Sequence, residues 1–169
     1  MTRIFISLGS NIDAEAHIRN GLNDLADALD HVLISTVYES EAVGFEGDNF
    51  LNLVAQADTE LSIAQLVALF KQIEQRHGRV LGAKKFAPRT LDIDLLLYGN
   101  LATNEPVELP RPEIFDNAFV LLPLQQLWPD GVLPNCSQSL AQLWQAFPQQ
   151  SQKLWPIEFD WAAPSDKSQ

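Results

Sequence analysis

The 169-residue chain has a single cysteine, Cys136, which excludes an internal disulfide and a cysteine-rich metal site. No apolar run approaches the roughly 20 residues of a membrane helix. The opening stretch from Met1 to Gly9 is broken too early to read as a signal peptide. Cations are scarce: 11 Lys and Arg stand against 22 Asp and Glu, a net charge of −11. A field of that sign excludes binding nucleic acid or anionic lipid through overall charge. There is no Gly-x-x-x-x-Gly-Lys loop, so the chain is not a P-loop nucleotidase, and no Gly-x-Ser-x-Gly elbow. His17, His31 and His77 lack metal-ligand spacing. The expectation from these absences is a cytoplasmic monomer with no nucleic-acid or membrane partner.

What is present is a globular composition, 46% hydrophobic and 20% charged. A chain of this length buries roughly 70% of its unfolded surface and needs no staples. We expect one domain over residues 1–160 and a loose tail over 161–169. Arg3–Leu8 reads as a strand, followed by a turn at Gly9-Ser10-Asn11. Ile18, Leu22, Leu25, Ala26 and Leu29 recur at helical steps, with Asn11 or Asp13 as N-cap. His31–Tyr38 and Phe50–Thr59 read as strands around a Gly-containing loop. Ser62 to Gln65 fits a capping box for a helix that stops at Gly78. Thr90–Tyr98 is an apolar strand, Ala118–Leu124 a strand or helix start, and Ser137–Phe147 a helix. The order predicts an α/β (α+β) fold: a ferredoxin-like βαββαβ core with an extra C-terminal helix, in a three-layer α-β-α sandwich.

The chemistry concentrates in two places. Five of the eleven cations (Arg76, Arg79, Lys84, Lys85 and Arg89) lie in one stretch that no Asp or Glu interrupts. This reads either as a solvated helix end with its loop or as a local anion site on an otherwise anion-repelling chain. Directly after it, Asp92 and Asp94 alternate with Leu91, Ile93 and Leu95. In a strand, both carboxylates point to one face. Carboxylates on a buried strand are costly unless a cation joins them, and Mg²⁺ takes such oxygens together with phosphate and water. Arg89, three residues upstream, could grip a phosphate bound by the same metal.

Leu8-Gly9-Ser10-Asn11, Phe50-Leu51-Asn52 and Pro88-Arg89-Thr90-Leu91-Asp92-Ile93-Asp94-Leu95 closely resemble the 6-hydroxymethyl-7,8-dihydropterin pyrophosphokinase family. Tyr38, Glu74 before Gly78-Arg79, Leu109-Pro110 and Ala118-Phe119-Val120-Leu121 lie in the matching order, and the resemblance runs over about residues 2 to 130. It implies transfer of the β,γ-pyrophosphoryl unit of ATP to the pterin hydroxymethyl group, with release of AMP, in folate biosynthesis. Two Mg²⁺ ions would be held by positions Asp92 and Asp94, and Arg89 would be the catalytic phosphate contact. Arg79, Lys85, Arg111, Lys71 and Glu74 fall on the ATP side. Ser40, Val43, Phe50 and Asn52 fall on the pterin side, with the ring between Phe86 and Phe119. The chain departs from the family pattern at Leu81 and Asn117, where arginine is common, and at Arg111, where histidine is usual. These departures raise a second expectation: a divergent relative that binds pterin or nucleotide with little activity.

Overall fold

The computed structural model describes residues 1–41, 49–78 and 91–163. Its centre is a six-stranded antiparallel sheet: β1 (Thr2–Ser10), β2 (Asp30–Ile34), β3 (Val37–Ser40), β4 (Phe50–Thr59), β5 (Asp92–Tyr98) and β6 (Leu154–Ile157). The order is β5-β1-β4-β3-β6, with β2 also pairing β4. With β2 and β3 sharing one place, β5, β1, β4 and β2/β3 have the ferredoxin-like order with β6 added beyond β3, and among the described residues β5 is an edge strand. Helices α1 (Ala14–Ala28) and α2 (Ile63–Arg76) cover one face. The other face carries α3 (Glu113–Asp116), α4 (Ala118–Leu127) and α5 (Leu140–Ala146). The three-layer α/β expectation holds.

Each layer follows from side-chain periodicity. Along α1, Ile18, Leu22, Leu25 and Ala26 are buried, forming the stripe their spacing predicts. On α2, Leu66, Phe70 and Ile73 do the same. Ser62 and Gln65 close the capping box, with bonds of 3.2 and 2.8 Å. Along β1, Ile4, Ile6 and Leu8 enter the core under α1 and α2, while Phe5 enters the core under α4. Gly21 on α1 permits a close approach: a Cβ there would lie 2.8 Å from Leu91, which is fully buried just before β5. Among the described residues, no helix is long and apolar enough to cross a membrane.

Four local expectations change. The strand expected over 31–38 is two strands, because Ser35 and Thr36 take other partners. Ser35 Oγ accepts the Val54 N–H at 3.0 Å, and the Thr36 N–H donates to Gln126 of α4 at 3.2 Å. Asp13 occupies the N-cap of α1 in the left-handed region (φ 44°) and makes no side-chain cap; the helix starts on a backbone bond from His17 N to Asp13 O. The turn expected at Gly9 and Ser10 is a continuation of β1. The C-terminal region supplies β6, paired with β3. Beyond it, Arg19 lies over the Phe159 ring at 4.6 Å, and Trp161 Nε1 donates to Asn23 at 2.8 Å.

At the far end of β1, Asp58 accepts from Arg3 Nε at 2.6 Å and lies 3.0 Å from His31 Nδ1. The Arg3 hydrogen bond, outweighing partial burial, holds the Asp58 carboxyl below its usual range. A carboxylate depressed in the folded state stabilises above its ordinary pKa of about 3.9 and loses that contribution as pH falls through the lower folded value. Arg3 and His31 are exposed, so solvent screens the pair. In urea unfolding, Asp58→Ala is expected to cost about 0.5–1 kcal/mol near neutral pH, and progressively less as pH falls below the ordinary carboxylate range.

Candidate active site

Strand register brings the predicted residues onto one face of the sheet. Gly9 on β1 is opposite Asp92 of β5 on one side and Asn52 of β4 on the other. Asn52 is in turn opposite Tyr38 of β3. Two register positions away, Ser7 is opposite Asp94 and Val54. In the other direction Phe50 is opposite Ser40. Directly opposed residues share a face. That face belongs to α4, because Val54 packs in the core with Val120 and Leu121. Asp92, Asp94, Asn52, Phe50 and Ser40 therefore line the α4 side of the sheet. Neighbouring strands are about 4.8 Å apart, so the Asp92 and Asn52 backbones are separated by roughly 10 Å. Phe119, half-buried on the second residue of α4, stands over the same face.

Gly9 makes this row possible. A Cβ on it would lie 2.6 Å from Asn52 Oδ1. The Asn52 carboxamide thus lies across the glycine, between the carboxylate strand and the rest of the face. A glycine inside a strand marks a close approach, but Gly9 followed by Ser10 and Asn11 also has the composition of a turn.

The alternation of β5 is as expected: Leu91, Ile93 and Leu95 are buried in the core under α1 and α2. The burial expected for the carboxylates is only partly met. Asp92 is half-buried and Asp94 exposed, because β5 is an edge strand. Its open side is held by side chains. The buried Glu74 of α2 accepts the Ile93 N–H at 2.8 Å. Arg111 donates from Nε to the Leu95 carbonyl at 2.7 Å and from its backbone N to the Leu96 carbonyl at 3.1 Å. The edge that carries both aspartates is thereby closed to another strand. Lys71 is exposed on α2. Tyr38 is held above its usual pKa by burial, which keeps its hydroxyl protonated; that hydroxyl approaches Gln126 Oε1 at 3.3 Å. Val43, Arg79, Leu81, Lys84, Lys85, Phe86 and Arg89 lie outside the described residues.

Among the described residues, no three His, Cys, Asp or Glu side chains form a metal cage. Asp92 and Asp94 offer only hard oxygen donors from adjacent same-face positions. That set suits Mg²⁺, which keeps several ligand places for water and phosphate. A separate groove of about 730 Å³, lined by Asp13, Glu15, Glu39, Asn49 and Leu51 among others, opens on the opposite face. Its three carboxylates make it a poor receptor for a triphosphate.

Known proteins resemble the chain over most of its length. The family model of 7,8-dihydro-6-hydroxymethylpterin-pyrophosphokinase matches residues 5–129. A 2-amino-4-hydroxy-6-hydroxymethyldihydropteridine pyrophosphokinase of Aquifex aeolicus is 36% identical over 137 residues, covering 79% of this chain and 85% of that one. The Haemophilus influenzae protein of the same name is 34% identical over 152 residues, covering 87% and 94%. The crystal structure of Plasmodium falciparum HPPK-DHPS with pteroate superposes with a TM-score of 0.69 at 12% identity; the match takes in 86% of this chain and 42% of that one. That likeness speaks for the fold. The chain belongs to this family of ATP-dependent pterin pyrophosphokinases.

Removing the acceptor for the Ile93 N–H is expected to loosen β5. Glu74→Ala should lower unfolding stability by about 1–3 kcal/mol, the cost of stranding a buried donor. Glu74→Gln, which keeps an acceptor oxygen, should lose less. Urea titrations of the three proteins make the comparison.

Proposed function

We propose that the α4 face of the sheet is where this chain joins ATP to 6-hydroxymethyl-7,8-dihydropterin, with Asp92 and Asp94 on the metal side and Asn52, Phe50, Ser40 and Phe119 on the pterin side. The observation that carries this reading is the register row Asp92–Gly9–Asn52. It sets a metal-binding carboxylate two strands from a carboxamide able to read the edge of a heterocycle. The transfer attaches the pterin hydroxymethyl oxygen to the β-phosphorus of ATP. The Pα–O–Pβ link breaks, AMP leaves and the hydroxyl proton is released. Little covalent chemistry falls to the protein, so its share is placement and charge.

Asp92 and Asp94 are the residues that would hold Mg²⁺, two ions on the family pattern. The metal supplies neutralisation of phosphate charge and a fixed in-line geometry. Asn52 offers both a donor and an acceptor to the pterin edge. Phe119 offers a ring face, and Phe86 is assigned the opposite one, with Val43 also on the pterin side. Arg89, Arg79 and Lys85 are assigned to the phosphates, with Arg89 as the catalytic one. Lys71 and the guanidinium end of Arg111 would add to that cationic side. Glu74 holds β5 through the Ile93 N–H and is assigned to the ATP side. The working unit on this reading is a cytoplasmic monomer that takes small-molecule substrates and no nucleic acid or membrane.

The test is AMP formation from Mg-ATP, with and without the pterin. AMP release is expected only with both substrates and Mg²⁺ present. Asp92→Ala and Asp94→Ala should each lower kcat on the order of 10²-fold or more, as removal of a transition-state charge clamp does. Near-normal turnover in both variants would contradict the assignment of the two carboxylates.

A further inference from the structure

The family match ends at residue 129, yet the chain beyond it returns to the face that carries the site. Gln152 is where it makes contact. Its Oε1 accepts the backbone N–H of Ala118 at 2.8 Å, and its Nε2 donates to the Asp116 carbonyl at 2.8 Å. Ala118 is the first residue of α4, and first-turn N–H groups have no partner within a helix. The natural cap would be the side chain of Asn117, but that residue makes no capping bond. Gln152 caps the helix instead, from 34 residues away. Two residues further on, Leu154 of β6 is opposite Ser40 of β3. A stretch of three residues therefore fastens the start of α4, next to Phe119, to the strand that carries Ser40.

We propose that Gln152 is a positioning residue for the pterin: it fixes the separation between Phe119 on α4 and Ser40, Phe50 and Asn52 on the sheet. The proposal rests on the pterin side of the site proposed above. The physical basis is the steepness of close contact. A ring face displaced by 0.5–1 Å from its optimum forfeits about a quarter to a half of its dispersion contact. An uncapped helix start can move by that much, because apolar packing of Val120 and Leu121 on Val54 is non-directional and the hydrogen bonds of α4 to the sheet among the described residues lie at its far end, from Gln126 to Thr36. The ATP side depends on β5, Glu74 and Arg111, none of which Gln152 touches.

The experiment uses the full chain with two variants. Gln152→Met keeps the length of the side chain and removes both hydrogen bonds. Gln152→Glu keeps the acceptor for the Ala118 N–H and removes the donor to the Asp116 carbonyl. KM for each substrate and kcat are read from AMP formation, with urea unfolding alongside. Gln152→Met is expected to raise the pterin KM about five- to tenfold, the loss of one or two modest hydrogen bonds, and to leave the ATP KM within about twofold. Gln152→Glu should fall between it and the parent. A pterin KM unchanged in both variants overturns the proposal. So does a parallel rise of both KM values, which would mark a general loss of stability. If Gln152→Met does not fold, Gln152→Glu decides alone: a pterin-selective rise supports the role, and none overturns it. A parent protein that forms no AMP would contradict the proposed function; an active parent with unaffected variants contradicts only the role of Gln152.

Discussion

An edge strand is an awkward place for a pair of carboxylates, because half of its backbone groups have no strand to pair with. Here the hydrogen bond from Ile93 N–H to the buried Glu74 answers that need, with Arg111 on the Leu95 and Leu96 carbonyls. The rest of the site depends on it. With β5 held from its open side, the register with β1 is fixed, Ile93 and Leu95 stay in the core, and Asp92 and Asp94 keep to the other face. A one-residue slip would turn both carboxylates toward α1 and α2. The same edge position leaves Asp94 open to solvent, where a metal could be exchanged with each ATP. A fully buried pair would have to be desolvated in every cycle.

A chain of net charge −11 repels a nucleotide at long range, so the attraction must be local. Of the five clustered cations, Arg76 already has a partner: it approaches Asp24 of α1 at 3.2 Å, where His77 also sits at 2.8 Å. These contacts tie the end of α2 to α1 immediately before the remaining four cations. The acidic groove beside α1 lies on the face of the sheet opposite Asp92 and Asp94.

Much of this was legible in the sequence because it is local. The capping box at Ser62 and Gln65, the stripe of Ile18, Leu22 and Leu25, and the alternation of Leu91, Asp92, Ile93 and Asp94 all express rules that act within a few residues. The family resemblance then attached chemistry to the alternating aspartates. What escaped was set by partners distant in the chain. Ser35 breaks its strand because its hydroxyl meets the Val54 N–H. Gly9 lies in a strand because Asn52 needs the space above it. Glu74 is buried because Ile93 needs an acceptor, and β6 forms because β3 offers it an edge. Each of these depends on a residue 19 or more positions away. No window along the chain contains both partners.

The central claim is that the metal and pterin subsites are neighbours on one sheet face, joined through the Asp92–Gly9–Asn52 row. Mn²⁺ accepts the same oxygen ligands as Mg²⁺ and relaxes nearby protons. The direct measurement is therefore the relaxation of the hydroxymethyl protons of bound pterin, with Mn²⁺ and a non-hydrolysable ATP analogue present. Strong enhancement is expected in the parent protein, and its loss when Asp92 and Asp94 are both changed to Asn. Pterin protons indifferent to Mn²⁺, or equally relaxed without the two carboxylates, would contradict the account.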